Sequence, residues 1–204
     1  MGDDYIWDLD GTLLDSYPVI VSSLEKAARE MGIPAEPDAI LKKVKLDSVS
    51  GFLREHVESR GVSAEDFMDL YRRNCLEAEA FIRLTPGAAE TLNRLREAGG
   101  RHFVYTHRGA STRRILEQPG ILDAFEDIVT HEAGFPPKPA PDGILYLLAK
   151  HRLDPGRTWY AGDRALDIGC GVHAGVRTIL YLEPGAVVDP TGREDRVVTS
   201  LMDI

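Results

Sequence analysis

The chain has 204 residues, 43% of them hydrophobic and 28% charged, which suits one sizeable globular domain or a domain carrying a small insertion. A formal net charge of −9 argues against nucleic acid or an anionic membrane as a general partner, and no apolar run approaches the roughly 20 residues that span a bilayer. Asp3 and Asp4 near the N-terminus do not fit a signal peptide, and Cys75 and Cys170 form neither a metal-ligand spacing nor a disulfide framework, so a reduced cytoplasmic setting is expected. In chain order, Tyr5 to Asp8 is a short apolar strand candidate. Ile20, Leu24, Ala27 and Met31 then recur at helical spacing, with Gly32 and Pro34 as a stop. Ile40, Leu41 and Val44 indicate a second helix, and Val49, Phe52, Leu53 and Val57 a third ended by Gly61. Ser63 with Asp66 resembles a capping box opening a fourth helix through Phe67, Leu70, Tyr71 and Ala78. Residues 16–82 therefore read as an all-helical insertion.

Thr85-Pro86-Gly87 opens a helix that Gly99-Gly100 closes. From there strands and helices alternate. Strands are expected over His102 to Thr106, Asp127 to Thr130, Thr158 to Ala161 and Thr178 to Leu182. Helices are expected over Arg108 to Glu117, Pro141 to His151 and Ala165 to Ala174. Such alternation implies right-handed βαβ crossovers, a parallel sheet and an α/β class. The tail from Glu183 is rich in Pro, Gly and Asp and reads as loop, with Val197-Val198 as a possible edge strand.

Asp8 and Asp10 stand two apart where the first strand meets the turn Gly11-Thr12. Residues two apart on a strand share a side, and the carboxyl end of a parallel strand is where open sheets bind ligands. Such a pair can hold a divalent cation while one carboxylate attacks phosphorus and the other moves a proton. Asp163, in Gly162-Asp163-Arg164-Ala165-Leu166-Asp167, leaves a strand, and Asp167 follows one helical turn later, so both can reach one ion. Thr106 and His107 follow another apolar strand, and Lys138 lies in Lys-Pro-Ala-Pro-Asp at a helix start.

In that order these segments resemble the four motifs of the haloacid dehalogenase superfamily, and the resemblance covers nearly the whole chain. It implies a Rossmann-like core, residues 1–15 and 83–204, with sheet order 5-4-1-2-3. It also implies that residues 16–82 are a small helical cap, joined by linkers near Ser16 to Pro18 and Arg83 to Pro86 and able to close over the site. Carried over residue by residue, Asp8 is the nucleophile and Asp10 the acid–base. Thr106 binds the phosphoryl group, and Lys138 neutralises the nucleophile and a phosphoryl oxygen. Asp8, Asp10, Asp163 and Asp167 hold Mg²⁺, Asp163 directly and Asp167 directly or through water. His107 departs from the residue usual after Thr106 and is a candidate substrate contact. Lys42, Lys43, Lys45 and Arg54 are candidate contacts to an anionic substrate. The implied activity is phosphate-ester hydrolysis on a small phosphorylated metabolite, as in phosphoglycolate phosphatase-like members, by a monomer or homodimer. A phosphomutase and a non-catalytic binding protein are the alternatives on the same fold.

Overall fold

The computed structural model describes residues 2–204. Its first strand, β1 (Asp4–Trp7), is buried from Tyr5 onward. A turn through Gly11 at φ 83°, a backbone conformation that favours glycine, leads into β2 (Leu14–Asp15), which pairs antiparallel with β3 (Arg83–Leu84). Two-residue strands carry no periodic pattern, and the sequence reading places linkers there.

Between these two strands lies one compact unit, Ser16–Ile82. It contains α1 (Tyr17–Glu30), α2 (Pro37–Leu46), α3 (Val49–Phe52) and α4 (Ala64–Ala78). The apolar stripe expected of the first helix is used as such: Leu24 and Ala27 are fully buried and pack with Ile40, Phe52 and Phe67. Burying each of the larger of these side chains is worth about 1.5–3 kcal/mol. Ser63 caps α4, its Oγ accepting from the Asp66 amide at 3.2 Å. The third helix is not regular. After a single α turn it widens to a π turn, Leu53–Val57, and tightens to a 3₁₀ turn, Glu58–Arg60, that ends at Gly61. Apolar spacing marks which side is buried, and it does not report such a change of hydrogen-bond register.

The other unit, Met1–Asp15 with Arg83–Ile204, continues with α5 (Ala88–Glu97), β4 (His102–Tyr105), α6 (Thr112–Glu117), β5 (Phe125–Val129), α7 (Asp142–His151), β6 (Thr158–Gly162), α8 (Ala165–Ala174), β7 (Arg177–Tyr181) and β8 (Arg196–Val198). The sheet order is β5-β4-β1-β6-β7-β8, parallel throughout. The expected five-strand order lies within it, extended at one edge by β8, which takes in the Val197-Val198 edge-strand candidate. Helix α6 starts four residues later than expected. The Arg108 amide is taken by Thr106 Oγ1 at 3.1 Å, and the Thr112 amide and hydroxyl both bond Gly109 O, so the intervening residues form a turn.

Successive strand residues face opposite sides of the sheet. Ile6, Phe103 and Tyr160 pack with Ile144 and Leu147 of α7 and with Cys170 of α8. On the alternate face, Trp7 Nε1 donates to His102 Nδ1 at 3.1 Å, and His102 Nε2 lies 2.9 Å from the Leu92 carbonyl of α5. Accepting from the indole puts the His102 proton on Nε2. Among the described residues, no helix is long and apolar enough to cross a membrane.

Candidate active site

The carboxyl ends of β1, β4 and β6 bring Asp8, Thr106 and Asp163 to one edge of the sheet, and the first turn of α8 adds Asp167. Asp8 is anchored by its amide, which donates to Ala161 O at 2.9 Å. Asp8, Asp163 and Asp167 are all buried, and each offers an oxygen within 4.8 Å of the others. Gly162 permits this approach, since a Cβ there would stand 2.3 Å from the Asp167 Cβ.

Lys138 reaches this cluster from the loop before α7. Its Nζ donates to Asp8 Oδ1 at 2.6 Å and to Asp167 Oδ1 at 2.8 Å, and its side chain is fully buried. The rings of Tyr105 and Tyr160 flank the ammonium at 5.1 and 5.3 Å from their centroids. A buried charge must be paired, and here burial disfavours the ammonium but the charges of Asp167 and Asp8 outweigh it and raise its pKa. Asp167 has both oxygens engaged. Oδ1 also accepts from Tyr160 Oη at 3.1 Å, and Oδ2 accepts from the Arg164 amide at 3.2 Å. Burial raises its pKa, but the charges of Lys138 and Arg164 outweigh that and bring it below the ordinary value. Asp8 moves the other way. Burial pushes its carboxyl up to about 7, Lys138 opposes this, and Asp167 and Asp163 add to it. Its Oδ2 is buried with no hydrogen-bond partner among the described residues.

Three hard carboxylates against one buried ammonium leave a negative surplus that a divalent cation would offset. The donor set and the unpartnered Asp8 oxygen fit Mg²⁺. Asp10 stands apart from this cluster. Its carboxylate is gripped by Arg108, Nη2 to Oδ1 at 2.5 Å and Nε to Oδ2 at 3.3 Å. Thr106 is buried, and its Oγ1, having accepted from the Arg108 amide, keeps a proton to donate. His107 is exposed, yet its Nε2 accepts from the Lys138 amide at 3.0 Å. Desolvation, followed by the charges of Lys138 and Arg164, pushes its pKa down to about 4, so the ring is neutral and able to accept.

The sequence reading did not foresee Arg108, Tyr105 or Tyr160 in this site. Tyr105 and Tyr160 fall within the expected strands His102 to Thr106 and Thr158 to Ala161, and Arg108 opens an expected helix. Its place two residues after Thr106 was the available signal. In the 16–82 unit, Lys43 is already paired with Asp47 at 2.9 Å and Glu55 at 2.7 Å. Lys45 is buried with its ammonium 4.3 Å from the Tyr17 ring centroid, while Lys42 and Arg54 are exposed.

The family model for haloacid dehalogenase-like hydrolases matches residues 5–181. The phosphoglycolate phosphatase of Vibrio vulnificus is 28% identical over 182 residues, covering 83% of this chain and 78% of that protein. The N-acetylmuramic acid 6-phosphate phosphatase of Pseudomonas putida is 27% identical over 184 residues, 85% of this chain and 79% of that one. Among solved structures, a HAD family hydrolase from Deinococcus radiodurans R1, crystallised with phosphate and sodium, superposes with a TM-score of 0.78 at 24% identity, covering 99% of this chain and 93% of that chain. That likeness concerns the fold, whereas the family match runs from the first strand to the end of β7 and takes in every carboxylate described above. The chain belongs to the haloacid dehalogenase-like hydrolase family.

Proposed function

We propose that the chain is a Mg²⁺-dependent phosphatase that hydrolyses a small phosphorylated metabolite through an aspartyl-phosphate on Asp8. The observation that carries this reading is the state of Asp8. One oxygen is held by Lys138, and the other is buried at the end of β1 without a hydrogen-bond partner among the described residues. In the first step an Asp8 oxygen forms a bond to phosphorus as the bond to the ester oxygen breaks, and Asp10 gives that oxygen a proton. In the second step water attacks phosphorus and yields a proton to Asp10. The Asp8–phosphorus bond breaks and inorganic phosphate leaves. Splitting a very slow hydrolysis this way replaces one high barrier with two lower ones.

Thr106 donates a hydrogen bond from its hydroxyl to a phosphoryl oxygen, and Lys138 neutralises Asp8 together with the incoming phosphoryl charge. His107 fixes the Lys138 backbone. Asp8 and Asp163 would hold the Mg²⁺ directly. Asp167, with both oxygens engaged, would reach the ion through water and holds Lys138 in place. When bound, the ion neutralises charge on the phosphoryl oxygens. The named relatives are phosphatases of two unlike esters, so they support the phosphoryl chemistry and not one alcohol.

The test is phosphate release from a panel of monoesters, 2-phosphoglycolate included, in Mg²⁺. Asp8→Asn should lower turnover on the order of 10³-fold or more while its circular dichroism stays native. A folded Asp8→Asn protein with near wild-type turnover would overturn the assignment.

A further inference from the structure

Asp10 is not left to rotate in the turn that carries it. Arg108 takes both of its oxygens in a fork, the bidentate geometry that gives an arginine–carboxylate pair its direction as well as its strength. The arginine is itself held. Its amide donates to Thr106 Oγ1 at 3.1 Å, and its carbonyl accepts from the His131 amide at 3.2 Å. Both side chains are mostly shielded, with relative exposures of 14% for Arg108 and 23% for Asp10. The same turn therefore carries Thr106, which faces the phosphoryl group in the reading above, and the guanidinium that aims the Asp10 carboxylate.

We propose that Arg108 is the positioning residue for the Asp10 acid–base group, orienting it toward the ester oxygen that leaves. This rests on the phosphatase reading. Arg108 exchanges no proton, because its guanidinium stays charged throughout. The proton moves from an Asp10 oxygen to the leaving oxygen as the phosphorus–oxygen bond breaks, and Asp10 recovers one from the attacking water. With two hydrogen bonds fixing the carboxylate plane, the outward lone pairs of Oδ1 and Oδ2 are the ones that carry the transferred proton.

Protonation of the leaving oxygen matters most when the alcohol is a poor leaving group. It matters little for p-nitrophenolate, which departs readily as an anion. The experiment compares kcat/KM for an alkyl monoester with that for p-nitrophenyl phosphate in wild type, R108A and R108K, with thermal melts to confirm folding. A positioned acid contributes about 10²–10⁴-fold. R108A should therefore lose on the order of 10–100-fold on the alkyl ester and only a few-fold on the aryl ester. R108K keeps the charge but not the fork, and should fall between. Equal losses on both esters, no loss, or an R108K ratio equal to wild type would overturn the role of Arg108. Should R108A fail to fold, R108K alone decides by that ratio. If wild type releases phosphate from no ester, or Asp8→Asn leaves release unchanged, the phosphatase reading fails and takes this inference with it. An inactive Asp8→Asn with an active wild type leaves that reading standing, so the two failures are distinct.

Discussion

Mg²⁺ should raise the melting temperature of the wild-type protein and leave that of Asp163→Asn nearly unmoved. Oxygens of Asp8, Asp163 and Asp167 lie within 4.8 Å of one another. At an effective dielectric of about 20, two like charges at that separation repel by on the order of 3 kcal/mol. Lys138, bonded to Asp8 and Asp167, relieves part of this, and the remainder is what a divalent ion would relieve. A ligand that binds only the folded state at about 100 times its dissociation constant adds about 2.7 kcal/mol. For a chain of this size each kcal/mol shifts the melting point by about 2–4 °C, so the wild-type shift should be roughly 5–10 °C.

Asp163→Asn removes one ligand charge and one source of the pressure that raises the Asp8 pKa. In EDTA it should melt no lower than wild type, and on adding Mg²⁺ it should gain less than about 2 °C. Scanning calorimetry or dye-monitored melting over a Mg²⁺ titration from EDTA measures both quantities without any turnover. A wild-type melting point indifferent to millimolar Mg²⁺, or an Asp163→Asn protein with the full shift, would refute the reasoning.

Lys138→Met should strand Asp8 and Asp167 as buried carboxylates and cost about 3–5 kcal/mol of stability, read from urea melts. A loss below about 1 kcal/mol would take away the ammonium's role in the buried network. His102 supplies a pH dependence: burial pushes its pKa down to about 4 from 6.5, with the Leu92 carbonyl opposing. A depressed folded pKa means that the unfolded chain binds the proton first. Its contribution is therefore complete above about pH 6.5 and is lost as pH falls toward 4, by about 3 kcal/mol in all. His102→Gln cannot take up that proton and should lose less stability than wild type between pH 6.5 and 4.5. Parallel stability curves for the two proteins would show that His102 does not titrate in this way.

The elements that were readable along the chain owe this to short-range causes. Alternating apolar strands and capped helices between Thr85 and Leu182 required only local periodicity and turn chemistry, and with them came the parallel sheet. Asp8, Thr106, Lys138 and Asp163 could be singled out because the segments that carry them resemble, in order, the four motifs of the family, each near a place where a strand ends or a helix begins. Which side chain meets which was another matter. Asp8 and Asp10 look equivalent at a spacing of two, yet one faces Lys138 and the other turns to Arg108, ninety-eight positions away. His107 is a candidate substrate contact by sequence, and the fold adds that its Nε2 accepts from the Lys138 amide. Lys43 is a candidate contact to an anionic substrate by sequence, and in the fold Asp47 and Glu55 hold it. The late start of α6, the π turn after α3 and the pairing of β2 with β3 likewise depend on hydrogen bonds that compete with the local pattern. Periodicity records which face of an element is buried. Partner choice is settled by the competition of buried charges and unsatisfied polar groups once distant segments are packed together.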